Sequence, residues 1–316
     1  MTAKRPDEQG PRAAGGEAGR LRRWVPLALI VAVVAISFAA IFFRKAAPTH
    51  PLASAAIRLA VAATVLLPFT ARGFRRGTFG GRAAVFAAIA GLFYGVHFGA
   101  WVWSLELTTV AASVTIVTAT PLLLGIVGVV TGRDRPTGRL WISIGLAAVG
   151  LLLVGGYDAF AVSQSALLGD GLALLGAAAM AGYLLVARAL GEELDILAFA
   201  GVATAVGAVS LAVVGLAAGV SLAPASQEAL VYLVLAALVP QLIGHNLLTW
   251  SLRYATPTAV GIATVGEPVG ATILGWLWLG ESVAPVVIGG CLVTLSGVVL
   301  AVLHTRSRAP APSTGD

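Results

Sequence analysis

Long apolar stretches separated by brief polar punctuation set the pattern of this chain. Val31–Phe43 and Leu140–Gly156 carry no charge at all. A membrane-spanning helix needs about 20 apolar residues, whereas a barrel strand needs only about 9–11 with strict alternation. These runs are long and do not alternate, so they predict helices. The pattern resolves into ten spans, at roughly 24–43, 51–69, 83–105, 109–131, 138–156, 166–187, 196–218, 229–250, 257–279 and 283–303. The connections are short and hold turn-forming and charged residues, at Pro48–Pro51, Arg72–Arg76, Gly132–Pro136 and Glu192–Asp195.

Composition agrees with the pattern. Of 316 residues, 58% are hydrophobic and 11% charged, less than half the charged share of about 25% in a soluble protein. Mean hydropathy is +0.94. A water-soluble fold is excluded, and so is a disordered chain, which needs low hydrophobicity and high net charge. The fold class is an all-α polytopic membrane protein. Arginine outnumbers lysine 18 to 2, and Ala and Gly abound, which suits a GC-rich bacterial genome. The single cysteine, Cys291, forms no intrachain disulfide, and no Cys/His cluster suggests a metal or other cofactor.

The formal net charge is +6. In a soluble protein that excess would suggest nucleic acid; in a membrane protein it sets topology, and no nucleic-acid partner is expected. Residues 1–23 form a polar tail ending in Arg20, Arg22 and Arg23, and residues 304–316 form a second tail. The run from Trp24 to Phe43 is too long for a secretory h-region and is read as the first span. With the N-terminus inside, 17 of the 20 basic residues fall on the inner side, Arg44 and Lys45 fall outside, and Arg58 lies within the second span. Both termini are therefore expected in the cytoplasm.

The two halves resemble each other. Trp103-Ser104-Leu105 recurs as Trp250-Ser251-Leu252, and the same offset aligns Thr109 with Thr256, Ala112 with Ala259 and Pro121 with Pro268. It also aligns Ile126 with Ile273, Gly128 with Gly275 and Gly150 with Gly297, and Asp134 with Glu281. An odd number of spans per half makes the second half enter the membrane from the opposite side. The expected architecture is ten transmembrane helices as two inverted five-helix repeats, 24–156 and 166–303, as in many secondary transporters.

These stretches resemble the drug/metabolite transporter superfamily, in particular ten-helix proteins with two EamA domains. The resemblance rests on Ser37-Phe38 before Arg44-Lys45, on Arg58 early in the second span, and on Ser104-Leu105 through Thr109-Val110-Ala111-Ala112 to Pro121. The second copy, from Ala255-Thr256-Pro257-Thr258-Ala259 through Glu267-Pro268 to Leu279-Gly280-Glu281, carries it most specifically. The first copy departs from it: Thr120 replaces the glutamate before the proline, and Gly132-Arg133-Asp134-Arg135 replaces the Gly-Glu pair. The resemblance implies a central cavity lined by the first, third, fourth, sixth, eighth and ninth spans, with the fifth and tenth outside. It also implies transport of a small metabolite, in a class that handles amino acids, nucleosides, sugar derivatives and drugs.

Four ionisable side chains lie well inside the spans: Arg58, His97, His245 and Glu267. A charge at the bilayer centre costs about 2.5–3.5 kcal/mol or more, so each requires a partner or a polar cavity. Glu267, before Pro268 and near small residues (Ala263, Thr264, Gly270, Ala271), is the candidate for binding a coupling proton or a cationic substrate group; a structural carboxyl is the alternative. Tyr94, His97 and Trp101 share one helix face, and Gly91, Gly95 and Gly99 share another that admits a close neighbour. The aromatic face is either cavity lining or core. Gln241, His245 and Thr249 share a face of the eighth span with Asn246 to one side, either touching substrate or tying helices together. Arg58 is read as a snorkelling or salt-bridged structural charge, with a substrate clamp as the alternative. Pro121 and Pro268 are candidate helix kinks at matching midplane positions.

No Walker loop, zinc helix or nucleophile-elbow motif is present. The expectation is a secondary-active transporter, an exporter or exchanger and not an enzyme, whose partners are a small-molecule substrate, the lipid bilayer and, as one option, a second copy in a homodimer. A membrane sensor or an intramembrane enzyme built on His245 and Glu267 are the alternatives.

Overall fold

The computed structural model describes residues 21, 23–108, 110–133, 136–155, 163–190, 195–280 and 283–307. Thr109, Asp134, Glu281 and almost all of both tails lie outside the described residues. Every regular element among the described residues is helical.

The first half comprises α1 (Val25–Lys45), α2 (Pro51–Arg76), α3 (Gly81–Leu107), α4a (Val110–Val117), α4b (Thr120–Thr131) and α5 (Gly138–Gly155). The second comprises α6 (Gln164–Ala189), α7 (Ile196–Ala217), α8a (Gln227–Ala236), a π-helical segment (Ala237–His245), α8b (Asn246–Ser251), α9a (Pro257–Thr264), α9b (Glu267–Leu279) and α10 (Pro285–Ser307). Seven of the spans are long and apolar enough to cross a bilayer; Thr120–Thr131, Gly138–Leu153 and Pro285–Ala301 are shorter apolar helices. The chain is an all-α polytopic membrane protein with ten spans in two inverted halves.

Local chemistry sets the helix ends. Asp195 caps α7 by accepting from the Ala198 N–H at 3.2 Å, and Ser226 caps α8a through Ala229 at 3.0 Å. Thr256 caps α9a ahead of a proline in its first turn. Gly77 ends α2 at φ 69°, in the left-handed region that glycine enters without a Cβ penalty.

Three helices are less regular than the hydrophobic pattern predicts. The fourth span breaks between Val117 and Thr120, and the ninth between Thr264 and Glu267. Each break immediately precedes a proline, Pro121 or Pro268, which removes one backbone donor and crowds the preceding turn. In the eighth span, Pro240 lies inside the π-helical segment. The wider turn accommodates a proline that a regular α-helix interior would reject.

Packing repeats under exchange of the halves. Helix α2 packs on α7 and α5 on α10; α3 on α6 corresponds to α8 on α1, and α4 on α6 corresponds to α9 on α1. The α3 glycine stripe faces α7. A Cβ on Gly91 would lie 2.6 Å from Val206 Cβ, and one on Gly99 would lie 2.7 Å from Leu211 Cδ2. The repeat-related pair Gly150 and Gly297 forms the α5–α10 crossing, where added Cβ atoms would meet the Gly290 and Ser143 carbonyls, each at 2.7 Å. Without a hydrophobic drive between helices in lipid, such close backbone approach supplies the packing energy. The outer faces carry exposed apolar side chains, among them Leu67, Val130, Leu152, Leu277 and Leu292.

Candidate functional site

A cavity of about 40 Å³ lies between the halves. It is lined by Ile36 and Ala39 of α1, Arg58 of α2, and His97, Phe98 and Trp101 of α3. Val117, Thr118 and Thr120 at the α4 break complete the first half's contribution. The second half adds Met180, Tyr183 and Leu184 of α6, His245 and Leu248 of the eighth span, and Thr264 and Glu267 at the α9 break. Both interrupted helices thus present their breaks to one space. That volume admits a few waters, not a metabolite.

Arg58 is not the snorkelling side chain the sequence suggested. It is 0% exposed. Its Nη2 donates to Gln241 Oε1 at 3.0 Å. The guanidinium carbon lies 4.3 Å from the centre of the Phe98 ring and 5.7 Å from that of Phe43, a cation–π arrangement that partly replaces lost hydration. No carboxylate among the described residues forms an ion pair with it. Its position seven residues into α2 is too deep, and the neighbouring rings too tightly packed, for the head group to reach water.

Glu267 begins α9b on the facing half and is half-buried, with its carboxyl on the cavity. Ser37 of α1 donates to the Glu267 carbonyl at 3.4 Å, and a Cβ on Gly270 would collide with the Ser37 hydroxyl, so α1 and α9b are in backbone-close contact there. Arg58 and Glu267 line the same space and act on each other electrostatically without a direct bond. The repeat partner of Glu267 is Thr120, whose hydroxyl is satisfied by the Val117 carbonyl at 3.1 Å and the Ala177 carbonyl at 3.3 Å. The acid is therefore on one half only.

His97 and Trp101 stack at 6.1 Å between ring centres with 14° between planes. His97 Nδ1 is 2.9 Å from the Gly176 carbonyl. A carbonyl only accepts, so the proton sits on Nδ1, which leaves Nε2 as the ring's other polar atom. The Trp101 indole N–H is buried and has no hydrogen-bond partner.

Tyr94, Gln241 and Asn246 do not touch the cavity. Tyr94 stacks flat on Tyr183, 3.9 Å between centres and 8° between planes, and its hydroxyl interacts with Gln241 and Tyr183. Gln241 is 1% exposed and holds Arg58. Asn246 is half-buried to one side. Sequence reasoning missed Tyr183, whose hydroxyl shares a 2.8 Å hydrogen bond with Thr249; Thr249 in turn donates to the His245 carbonyl at 2.9 Å. A continuous polar path thus runs from Arg58 through Gln241, Tyr94 and Tyr183 to Thr249. The signal available was a lone tyrosine in an Ala/Leu/Gly-rich span.

The two ends of the cavity are closed differently. Toward the face where α6 ends, Tyr183–Thr249 ties α6 to α8b, and Arg188 Nη1 donates to the Leu252 carbonyl. Toward the opposite face, where α1 and α3 end, Phe43 meets Trp101 edge-on at 5.9 Å. Exchange of the halves relates the α6–α8 pair to the α1–α3 pair, so one closure is hydrogen-bonded and its counterpart apolar.

The fold and cavity define a ten-helix membrane protein with two inverted repeats and a polar site between them. Residues 23–156 and 167–303 each match the EamA-like transporter family, and the chain belongs to that family. It is a family of transporters, and a small-molecule substrate and a lipid surround follow from membership. Among solved structures, one titled only "Crystal structure of protein" is similar over 91% of this chain and 100% of its own, with 18% identity and a TM-score of 0.72; at that identity it supports the fold alone. No curated protein matches the chain.

Proposed function

We propose that the chain is a secondary-active transporter that carries a small metabolite across the bacterial inner membrane by alternating access, as an exporter or exchanger, with both termini in the cytoplasm. The carrying observation is the cavity shared by both halves, with Arg58 on one wall, Glu267 on the other, and a separate closure toward each face. Repeats 24–156 and 166–303 rock about that cavity, opening α6 from α8b in one state and α1 from α3 in the other. The hinge positions are the α4 and α9 breaks at Pro121 and Pro268, where backbone hydrogen bonding is already interrupted.

Glu267 carries the coupling proton or meets a cationic group of the substrate. It is the carboxylic acid among the cavity-lining side chains, and an acid inside a span is a functional group by default. His97, Trp101 and His245 line the site, while Tyr94 and Gln241 hold it from behind.

The test has two stages. A metabolite panel is screened for thermal stabilisation of the detergent-purified protein, since a ligand bound only to the native state raises its melting temperature. The best hit, radiolabelled, is then followed into proteoliposomes. Uptake above that of protein-free vesicles, abolished by Glu267→Gln, is expected. A hit that stabilises the protein yet never crosses the membrane would mark a receptor or an enzyme instead.

A further inference from the structure

We infer that the substrate carries a carboxylate, and that Arg58 and Trp101 are the residues that bind it. Two residues that line this cavity hold three buried donors with no acceptor: Arg58 Nε, Arg58 Nη1 and Trp101 Nε1. The two side chains pack on the same pair of rings. The Arg58 guanidinium lies over Phe98 and Phe43, and the Trp101 ring is 6.4 Å and 5.9 Å from the centres of those same two rings. A buried donor without an acceptor carries its full desolvation penalty, larger still for a charged group. An occupant that supplies acceptors removes that penalty.

The chemistry of the occupant follows from the donor set. Unpartnered N–H groups on Arg58 and Trp101 and a permanent positive charge select an acceptor-only anion. Gln241 takes Nη2, which leaves Nε on one edge of the guanidinium and Nη1 on the other as the donors still open to a ligand. A carboxylate offers two oxygens, matching a guanidinium on one side and an indole N–H on the other. A phosphate would bring up to two negative charges to a site with one arginine and with Glu267 on the facing wall, leaving charge uncompensated in a low-dielectric space. Ile36, Ala39, Phe98, Met180 and Leu248 around the polar wall suit an apolar remainder.

This inference rests on the transport reading for the word substrate, but its test is a binding measurement that needs no flux. The full-length protein in detergent is titrated with acetate, propionate and benzoate, with their amides, with propylamine and benzylamine, and with inorganic phosphate. Thermal shift and tryptophan fluorescence are the readouts. Stabilisation by at least one carboxylate, and not by its amide or by phosphate, is expected. Trp101→Phe keeps the ring and removes one donor, so carboxylate affinity should fall several-fold.

Gln241→Glu puts a competing carboxylate on Arg58; affinity should fall about 10- to 100-fold, the range for a lost charge-assisted bond, with the melting temperature kept or raised. Arg58→Lys should also lose binding, but it is not relied on, because burial of its ammonium head threatens folding. Equal stabilisation by amides, preference for amines or phosphate, or wild-type carboxylate affinity in a folded Gln241→Glu protein would each overturn the inference. Carboxylate binding without any flux would leave it standing and remove the transport reading instead.

Discussion

Replacing Tyr183 by phenylalanine removes the Tyr183–Thr249 hydrogen bond of the closure between α6 and α8b, together with the hydroxyl contact to Tyr94, which keeps Gln241 as a partner. The ring stays, and with it the flat stack on Tyr94. Thr249 keeps its hydrogen bond to the His245 carbonyl at 2.9 Å, so its hydroxyl is not orphaned. Of the bonds lost, the 2.8 Å Tyr183–Thr249 bond is the one that exists only while α6 and α8b are together. Interhelical hydrogen bonds in membrane proteins contribute about 0.6 kcal/mol on average and about 1.7 kcal/mol at most. With RT about 0.59 kcal/mol, the state open on that side should gain about 3-fold in population, with ~18-fold as the ceiling. The assay is the reaction of a cavity thiol, Ala39→Cys in a Cys291→Ser background, with a membrane-impermeant maleimide added on the face where α6 ends. The rate should rise by that factor, while the rate from the opposite face falls or stays constant. A rate unchanged or lowered on the α6 face would show that Tyr183–Thr249 does not hold the site shut.

Further outcomes follow from other positions. Glu267→Gln should express normally and abolish proton-coupled flux; flux with the wild-type pH dependence would return Glu267 to a structural role. Gly91→Val should lower stability by about 1–3 kcal/mol, the usual cost of overpacking, because its Cβ would sit 2.6 Å from Val206 Cβ; thermal melting in detergent unchanged from wild type would contradict the α3–α7 contact. His97→Ala should weaken ligand binding by removing the ring stacked on Trp101; wild-type affinity would make His97 a packing residue. Cysteines at the exposed positions Arg75 and Glu228 should react with impermeant reagents from opposite sides of the membrane, and labelling of both from one side would refute the topology.

Much of the architecture was legible because lipid imposes a simple requirement: spans of apolar residues long enough to cross, with loops that interrupt them. The glycine stripe of α3 could be read for the same reason, since Gly91, Gly95 and Gly99 recur every four residues and a helix lacking side chains on one face must be approached there. The offset pairing of Gly150 with Gly297 showed the repeat; that the two glycines sit at the α5–α10 crossing comes from the structure alone.

What escaped the sequence is what depends on partners distant along the chain. Arg58 reads as a charge near a helix end, and nothing local reveals that Phe98, Phe43 and Gln241 close around it. Gln241 and His245 do share a buried face within a π-helical segment, yet His245 reaches the cavity and Gln241 does not. Tyr183 was passed over because a single tyrosine among alanines and leucines carries no periodic signal; its role comes from Tyr94 and Thr249 on other helices.

The central claim is that one cavity, shared by two inverted halves, opens to each face of the membrane in turn. The most direct measurement is labelling of Ala39→Cys, in the Cys291→Ser background, with an impermeant maleimide applied separately to each face of oriented, sealed vesicles. The account predicts reaction from both faces, protection from both by a bound ligand, and vesicles that stay tight to the reagent throughout. Reaction from one face alone, or free passage of the reagent between faces, would contradict it.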